Sequence, residues 1–294
     1  MAARLKIGTL VVIGVGLIGG SFALALKRAH AVRRVVGVGR TRGNLADAMR
    51  LKVINESSRD PARAVRDADL VLLATPVGQM PAVMSAIAQH LPTHAVITDA
   101  GSTKRDVIAC AQRFLGAHRS RFVPAHPVAG TEMSGAAAAF PDLFRGRNVI
   151  LTPQAGTHAG AVTLVRRAWE ACGARVMRLD AGVHDEVLAA VSHLPHVIAF
   201  ALVNLLAGRR NPARLFGLSA GGLRDTVRIA GSSPEMWADI CVANREALLA
   251  ALEGYENELE QTRAAIERAD VPELRRLFAR ARGAREKWLV RKRP

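Results

Sequence analysis

Cysteine and aromatic residues are scarce in this 294-residue chain, and both shortages narrow what it can be. The three cysteines, Cys110, Cys172 and Cys241, lie far apart and have no Cys-x-x-Cys spacing. This pattern argues against a disulfide framework or a zinc site and favours free thiols in a reducing compartment, so we expect a cytoplasmic location. Aromatic residues make up only 4% of the chain, which leaves few stacking platforms for single-stranded nucleic acid.

Acidic residues are also few relative to basic ones, 25 against 41, and the formal net charge is +16. A phosphorylated cofactor, a carboxylate substrate or nucleic acid would each explain a basic excess. The basic residues are spread along the chain, however, and we interpret most of them as a solvated surface. We expect no nucleic-acid partner. Beyond the apolar run near the N-terminus, no second long apolar span suggests a membrane protein, so we expect no membrane association.

The chain does contain a glycine-rich turn between a β-branched run and an apolar, alanine-rich segment. Gly14, Gly16 and Gly19 form a Gly-x-Gly-x-x-Gly sequence there. A strand, a glycine turn and a helix in this order are the dinucleotide-binding fingerprint. The first glycine allows the tight turn, the second lets backbone approach a pyrophosphate, and the third lets the helix lie close to the strand. The pyrophosphate would bind at the helix N-terminus, beside Leu17 and Ile18.

Two other structures fit the same N-terminal stretch. Its basic start, its apolar run and Ala29-His30-Ala31 also suit a signal peptide, and its glycines suit a packed membrane helix. Five glycines between Gly8 and Gly20 nevertheless favour a turn over a helix core. A second β-rich run at residues 35–38 arrives where a βαβ unit needs it. We therefore favour nucleotide binding.

Apolar runs and helical stretches alternate through the first 180 residues, and this alternation predicts an α/β fold. We expect a Rossmann-type, doubly wound parallel sheet over residues 1–181. No convincing strand follows Leu179, so we expect an all-helical domain over residues 182–294. Its long apolar faces exceed what a small domain buries alone, which favours a homodimer. Further strands are predicted at residues 70–74, 95–98, 122–123, 149–152 and 175–177, and helices at 44–51, 79–90, 104–115, 159–172, 183–206, 236–269 and 271–289.

The residues after the second predicted strand indicate which dinucleotide binds. In such folds an acid about 20 residues past the glycines binds the ribose hydroxyls of NAD. Here the strand ends at Val38, and Gly39-Arg40-Thr41-Arg42 follows without an acid. Arg40 can stack on adenine and pair with a 2′-phosphate, with Thr41 and Arg42 as further donors. We therefore predict NADP as the preferred cofactor, and NAD if Arg40 is an ordinary surface arginine.

Polar residues follow three of the predicted strands, at the sheet edge where open α/β folds bind ligands. Further polar residues interrupt the apolar segments of the helical half. A neutral histidine can accept a hydroxyl proton, a nicotinamide can accept hydride and an arginine can hold a carboxylate, so the set suits oxidation of an alcohol. His193 and His196 have no third ligand of metal type nearby, and we predict no metal site. Thr75, Pro76 and Ser102 are expected to contact the cofactor. The polar segments are residues 75–76, 99–104, 126–132, 192–196, 225–230 and Trp237.

Five motifs occur in order along the chain: Gly-x-Gly-Leu-Ile-Gly-Gly-Ser, Asp-x-x-Ser-x-Lys, His-Pro-x-Ala-Gly-Thr-Glu, Ser-His-Leu-Pro-His and Asp-x-x-Arg-Ile-Ala. Together they resemble the prephenate/arogenate dehydrogenase family of tyrosine biosynthesis, from about Leu5 to Trp288. The resemblance implies a Rossmann domain joined to a helical domain that interlocks in a homodimer. It also implies oxidative decarboxylation of prephenate to 4-hydroxyphenylpyruvate, or of arogenate to tyrosine, with hydride transfer to NAD(P). Which substrate is preferred stays open, as does inhibition by tyrosine.

The resemblance further implies a role for each matching residue. His126 matches the catalytic histidine that hydrogen-bonds the ring hydroxyl, and Ser102 matches the serine that supports it. Arg228 matches the arginine that binds a substrate carboxylate. Many NAD-using members carry an acid where Arg40 stands, so cofactor choice is where this chain departs from the pattern. The other matches all belong to the substrate pocket or its gate: His193, His196, Glu132, Asp225 and Trp237.

Two other functions remain as alternatives. A β-hydroxyacid or 6-phosphogluconate-type dehydrogenase also pairs a Rossmann domain with helices, but it relies on a lysine in the helical half. Residues 183–269 contain no lysine. A non-enzymatic dinucleotide sensor or basic nucleic-acid binder would explain the glycine motif and the charge, yet it would leave His126 and Arg228 without a purpose.

Overall fold

A computed structural model describes residues 5–131 and 133–290. The strands in these residues are β1 (Ile7–Ile13), β2 (Val32–Val38), β3 (Glu56–Ser58), β4 (Leu70–Leu73), β5 (Val96–Asp99), β6 (Phe122–Val123), β7 (Ala125–Pro127), β8 (Asn148–Leu151) and β9 (Arg175–Arg178). The α-helices are α1 (Leu17–Arg28), α2 (Arg42–Arg50), α3 (Pro61–Ala64), α4 (Met80–Ile87), α5 (Arg105–Phe114), α6 (Ala159–Ala171), α7 (Ala181–Leu188), α8 (Leu194–Ala207), α9 (Pro212–Gly217), α10 (Gly221–Val227), α11 (Pro234–Ala243), α12 (Arg245–Glu267) and α13 (Val271–Val290).

The first six strands form one parallel sheet in the order β3-β2-β1-β4-β5-β6. At the carboxyl end of β1, Ile13 pairs with Val38 of β2 on one side and with Leu73 of β4 on the other. The central strands β1 and β4 are buried, which is why they read as continuous apolar runs. The chain reverses its winding direction at β1, so the crevice that binds ligands in such sheets lies between the ends of β1 and β4.

The remaining three strands form a separate sheet in the order β7-β8-β9, with β7 antiparallel to β8 and β8 parallel to β9. This differs from the single sheet that the alternation of strands and helices predicts. β6 ends after two residues, because Pro124 has no N–H with which to continue the ladder. The chain then starts a new pairing, and His126 lies inside β7 opposite Ile150 rather than in a loop.

Residues 179–290 contain helices and no strand, as predicted. The apolar segment starts as α7, passes through a π-helical turn at Ala189–His193 and continues as α8. By length and composition alone, this continuous helix of residues 181–207 could cross a membrane. Its first half is fixed to the start of α5, however, because Asp185 accepts hydrogen bonds from two backbone N–H groups there.

The long helix predicted at residues 236–269 is two helices, α11 and α12, which meet at Asn244. The chain divides into two compact units between Arg245 and Glu246. In the second unit, Arg280 of α13 pairs with Glu258 of α12. The domain boundary between residues 181 and 182 stays a prediction.

Candidate active site

The glycine-rich turn lies at the carboxyl end of β1. Gly14 has a φ of +102°, and a Cβ at this position would collide with the carbonyl oxygen of Ala74. A Cβ on Gly19 would collide with the carbonyl oxygen of Gly14 and the side chain of Val12, so only glycine lets α1 approach β1 this closely. A Cβ on Gly16 would meet no atom within 4 Å. Gly16 therefore borders open space that a ligand can enter.

The start of α1 offers a site for an anion next to this turn. Gly16 is the N-cap and provides no side-chain acceptor for the N–H groups near Leu17 and Ile18, and the first turn carries no acid. Such N–H groups bind pyrophosphate well. Thr75 and Pro76 follow β4 across the crevice. The hydroxyl of Thr75 is buried and finds no hydrogen-bond partner in the described part of the chain, which suits a contact with a ligand.

Basic side chains surround the end of β2. Arg40 and Thr41 are exposed in the loop that leads into α2, and Arg42 is exposed at the first position of that helix. A cavity of about 230 Å³ beside this loop is lined by Arg42, Leu45, Ala46, Ser57, Ser58 and Arg59. Guanidinium groups bind phosphate oxygens in pairs, and hydroxyls can donate to the same oxygens. Arg59 was missed in the sequence because β3, which brings it beside β2, is too short and polar to predict.

His126 is buried on β7 and contacts a second histidine that the sequence analysis did not single out. His126 Nδ1 lies 2.8 Å from His184 Nε2, and His184 Nδ1 lies 2.7 Å from Asp185 Oδ1. The Asp185 carboxylate also accepts hydrogen bonds from the backbone N–H groups of Lys104, at 2.8 Å, and Arg105, at 2.9 Å. We call His126, His184 and Asp185 the imidazole chain.

Burial and hydrogen bonding set the protonation of the imidazole chain. Burial holds the pKa of His126 well below its usual range, and the neighbouring His184 adds to this shift. Burial alone would raise the pKa of Asp185, but hydrogen bonds from His184 and from two backbone N–H groups outweigh it and lower the pKa. At neutral pH, His126 is therefore a neutral base and Asp185 an ionised carboxylate.

His193 approaches His126 closely enough to influence its pKa. The amide nitrogen of Asn244 donates to the carbonyl oxygen of Asp185 at 2.8 Å and lies 3.1 Å from His193 Nδ1. Because an amide nitrogen only donates, Nδ1 of His193 is the acceptor and its proton lies on Nε2. Burial lowers the pKa of His193 to about 4, so the ring is neutral. Its Nε2 is buried without a partner among the described residues and can donate to a ligand oxygen.

His196 and Trp237 lie next to His193. Their rings stack with centroids 3.7 Å apart, and His193 meets Trp237 edge-on at 6.0 Å. Burial lowers the pKa of His196, and the charge of Arg228 lowers it further, which places the exposed Arg228 within electrostatic range of this ring. The structure thus brings together His193, His196, Trp237 and Arg228.

The other predicted site residues are less closely tied to this cluster. Ser102 is half-buried in the loop after β5. Asp99 at the start of that loop accepts a 2.9 Å hydrogen bond from the backbone N–H of Ala125, the residue before His126. Asp225 is exposed on α10, and Glu132 lies outside the described residues. Within residues 5–131 and 133–290, no group of three or more His, Cys, Asp or Glu side chains is placed to hold a metal ion.

Three polar residues of this site were missed in the sequence: His184, Asp185 and Asn244. An adjacent His-Asp pair inside an otherwise apolar helix was the available signal, because burying two ionisable side chains is costly unless they bond to something. Asn244 carried no such signal, since it lies between two helices that read as one.

Models of protein families match both halves of the chain. Residues 22–178 match the prephenate dehydrogenase nucleotide-binding domain, and residues 180–280 match the prephenate dehydrogenase dimerization domain. The two matches meet close to the domain boundary predicted from the sequence.

Individual relatives agree with these matches. A cyclohexadienyl dehydrogenase of Zymomonas mobilis is 39% identical over 279 residues, which are 94% of this chain and 94% of the relative. A prephenate dehydrogenase of Bacillus subtilis is 35% identical over 280 residues, which are 95% of this chain and 75% of the relative. The crystal structure of Aquifex aeolicus prephenate dehydrogenase in complex with hydroxyphenyl propionate and NAD+ superposes with a TM-score of 0.89 at 34% identity, covering 98% of this chain and 99% of the other.

Proposed function

The chain belongs to the prephenate dehydrogenase family, and we propose that His126 accepts the proton of the substrate's ring hydroxyl. The protein is an oxidoreductase of tyrosine biosynthesis that couples loss of a ring carboxylate to hydride transfer onto NAD(P). Prephenate yields 4-hydroxyphenylpyruvate, and arogenate yields tyrosine. The observation that carries the proposal is a neutral, buried His126 with a histidine–carboxylate pair behind it.

The site residues suit the bond changes of this reaction. His126 takes the hydroxyl proton while the same carbon loses hydride to the nicotinamide. The carboxylate on the opposite ring carbon leaves as carbon dioxide, its bonding electrons make the ring aromatic, and the ring oxygen takes the proton back from His126 to give the phenol. Since aromatisation drives the reaction, the protein mainly has to align groups and polarise the hydroxyl. Nε2 of His193 carries a proton and can donate to the oxygen as it becomes a carbonyl. Ser102 is proposed to support His126 and the hydroxyl.

The residues around the β1–α1 turn fit a dinucleotide. Gly14, Gly16 and Gly19 leave room for the pyrophosphate, which would bind the N–H groups near Leu17 and Ile18. The dinucleotide supplies the hydride acceptor of the reaction. On the nicotinamide side we propose contacts with Thr75, Pro76 and Ser102. The buried Thr75 hydroxyl has no hydrogen-bond partner within residues 5–131 and 133–290, which supports its part in these contacts.

We propose NADP as the preferred form of this cofactor. The loop after β2 contains no acid to receive the ribose hydroxyls of NAD, and Arg40 and Thr41 stand there instead. The neighbouring cavity, which Arg42 and Arg59 line, adds two guanidinium groups that can neutralise a 2′-phosphate.

Replacing Arg40 with alanine is expected to weaken NADPH binding by about 10- to 100-fold, the loss typical of one charged hydrogen-bonding group. NADH binding should change far less, since NADH lacks the 2′-phosphate. Fluorescence titration of both reduced cofactors measures the two dissociation constants. Arg33→Ala is the matched control, because Arg33 is exposed at the opposite end of the same strand. Equal losses for NADPH and NADH would contradict the NADP preference.

Replacing Arg228 with alanine is expected to raise the KM for prephenate or arogenate by about 10- to 100-fold with kcat changed much less. The guanidinium would hold a substrate carboxylate that does not react, so its loss removes binding from ground state and transition state alike. Arg224→Ala, on the neighbouring helix α10, should leave both constants unchanged. A rise confined to the KM of the cofactor would show that Arg228 belongs to another subsite.

Initial rates with prephenate and with arogenate, each with NAD and with NADP, test the function itself. Formation of reduced nicotinamide with at least one pair of substrates supports it, and the relative kcat/KM values decide substrate and cofactor preference. No reduction with any of the four pairs would overturn the assignment of prephenate and arogenate as substrates.

A homodimer is the assembly we propose, in agreement with the dimerization domain that residues 180–280 match. Large apolar side chains are exposed along α7 and the helical segment after it: Val183, Val187, Val191 and Leu205. In the second unit, α12 exposes Leu249, Leu259 and Ile266. Exposed apolar faces of this kind typically mark interfaces between protein chains. A cytoplasmic location remains a prediction.

A further inference from the structure

A buried imidazole is a poor proton acceptor on its own. His126 is buried on β7, and a proton arriving at its Nε2 would create a positive charge in a site shielded from water. The buried ammonium of Lys104 lies close enough to oppose that charge further. The reaction therefore needs a place where the arriving charge is compensated. One such place is one ring away, where His184 contacts the carboxylate of Asp185.

The directions of the hydrogen bonds in the imidazole chain follow from its carboxylate end. The Asp185 carboxylate only accepts, so His184 Nδ1 carries a proton and donates to it. When this is the one ring proton of His184, its Nε2 has a lone pair, and His126 Nδ1 must donate to that lone pair. Nε2 of His126 is left unprotonated. The imidazole chain thus selects the tautomer of His126 whose free nitrogen can accept a proton from a ligand.

We propose that His184 and Asp185 are positioning residues that fix this tautomer and take over the positive charge when His126 accepts the substrate's proton. The inference rests on the proposed function. As the hydroxyl proton moves to His126 Nε2, the proton on His126 Nδ1 moves to His184 Nε2. His126 ends neutral and His184 ends as an imidazolium beside the Asp185 carboxylate. The hydride leaves separately for the nicotinamide. When carbon dioxide leaves, the phenolate oxygen takes a proton back from His126 Nε2, and the proton on His184 Nε2 returns to His126 Nδ1.

Other charged and titratable groups face the imidazole chain, but most of them are paired with other residues. From the start of α5, Lys104 is paired with Asp99, Arg105 with the exposed Glu186, and Asp106 lies near Asp185. From the π-helical turn comes His193, whose Nδ1 is occupied by Asn244. Among the described residues, only Asp185 contacts the ring nitrogen of His184 that faces away from His126, so it is the group whose charge would stabilise an imidazolium there.

The test compares Asp185→Asn with Glu186→Gln, which neutralises the exposed neighbouring carboxylate on the same helix. We expect Asp185→Asn to lower kcat by about 10- to 100-fold, the loss typical of a group behind an active-site ligand, with KM nearly unchanged. The acid limb of its pH–kcat profile should move to lower pH, because a carboxylate favours the protonated form of a neighbouring imidazole. Glu186→Gln should match the unsubstituted protein in kcat and in pH profile.

A second variant, His184→Gln, keeps a side-chain oxygen that can accept from His126 Nδ1 but cannot carry the proton. It should lower kcat to a similar extent, and ¹⁵N NMR should still find His126 protonated on Nδ1. An unchanged kcat in His184→Gln would overturn the proposal. The proposal would also be overturned if Asp185→Asn behaved like Glu186→Gln, or if it changed KM without moving the acid limb of the pH–kcat profile.

Failure of the proposed function would look different. Without turnover of prephenate or arogenate by the unsubstituted protein, the kinetic comparison loses its substrate. The ¹⁵N spectrum of the ligand-free protein still decides the hydrogen-bond order, and a His126 protonated on Nε2 would overturn the inference.

Discussion

Replacing His126 with asparagine is expected to lower kcat by about 10²- to 10⁴-fold, the usual contribution of a general base. An asparagine amide can still hydrogen-bond the substrate hydroxyl, but it cannot accept its proton. Binding of the dinucleotide should be nearly unchanged, because the turn formed by Gly14, Gly16 and Gly19 lies at β1 in a different sheet. Initial rates of nicotinamide reduction measure the first effect, and titration with the reduced cofactor measures the second.

His158→Asn is the matched control for this prediction. His158 is exposed and its ring caps α6 by accepting from the backbone N–H of Gly160. Asparagine is a good N-cap, so this substitution removes a histidine without removing the cap. We expect kcat and thermal unfolding of this variant to match the unsubstituted protein. If His126→Asn retained most of its kcat, or lost cofactor affinity in proportion, His126 would not be the base.

The parts of the fold that could be predicted are those that local sequence specifies. β1, the glycine turn and α1 follow one another within 22 residues, and each has its own pattern of side chains. β3 could not be predicted, because its Glu56-Ser57-Ser58 is polar and only its pairing with β2 makes it a strand. The separate β7-β8-β9 sheet escaped prediction for a similar reason, since strand pairing depends on contacts between distant residues.

The residues of the candidate site also differ in whether local sequence could identify them. His126 and His193 were singled out because each sits in a motif that is polar within apolar surroundings. The link from His126 to His184 joins residues 58 positions apart in the sequence, and no local pattern encodes it. It exists because the tertiary structure places His184 of α7 against His126 of β7. The residue proposed to accept the proton could therefore be singled out from the sequence, while the groups proposed to set its tautomer required the tertiary structure.

Replacing Lys104 with methionine is expected to lower the free energy of unfolding by about 3–5 kcal/mol, a large fraction of the stability of an ordinary domain. Lys104 and Asp99 form an ion pair that is fully buried. Hydrogen bonds from the backbone N–H groups of Gly101, at 2.8 Å, and Ala125, at 2.9 Å, hold the Asp99 carboxylate in place. Without the ammonium, a buried negative charge remains that cannot reach water and has no other cation paired with it among the described residues. Denaturant unfolding measures the loss.

Two further variants show whether the loss of unfolding free energy in Lys104→Met comes from the buried charge rather than from breaking an ion pair as such. Arg166→Met breaks the surface pair with Glu170 one helical turn away and should cost no more than about 0.5 kcal/mol. The double variant Lys104→Met/Asp99→Asn removes both buried charges and should recover more than half of the loss, because desolvation offsets most of the attraction in a buried pair. Recovery should be incomplete, since Lys104 Nζ also donates to the carbonyl oxygen of Ala125 at 2.8 Å. The bond from Lys104 Nζ holds Ala125, the residue before His126, in place. If Lys104→Met were as stable as Arg166→Met, this bond would not be needed, and the pairing of β7 with β8 would be enough to hold β7.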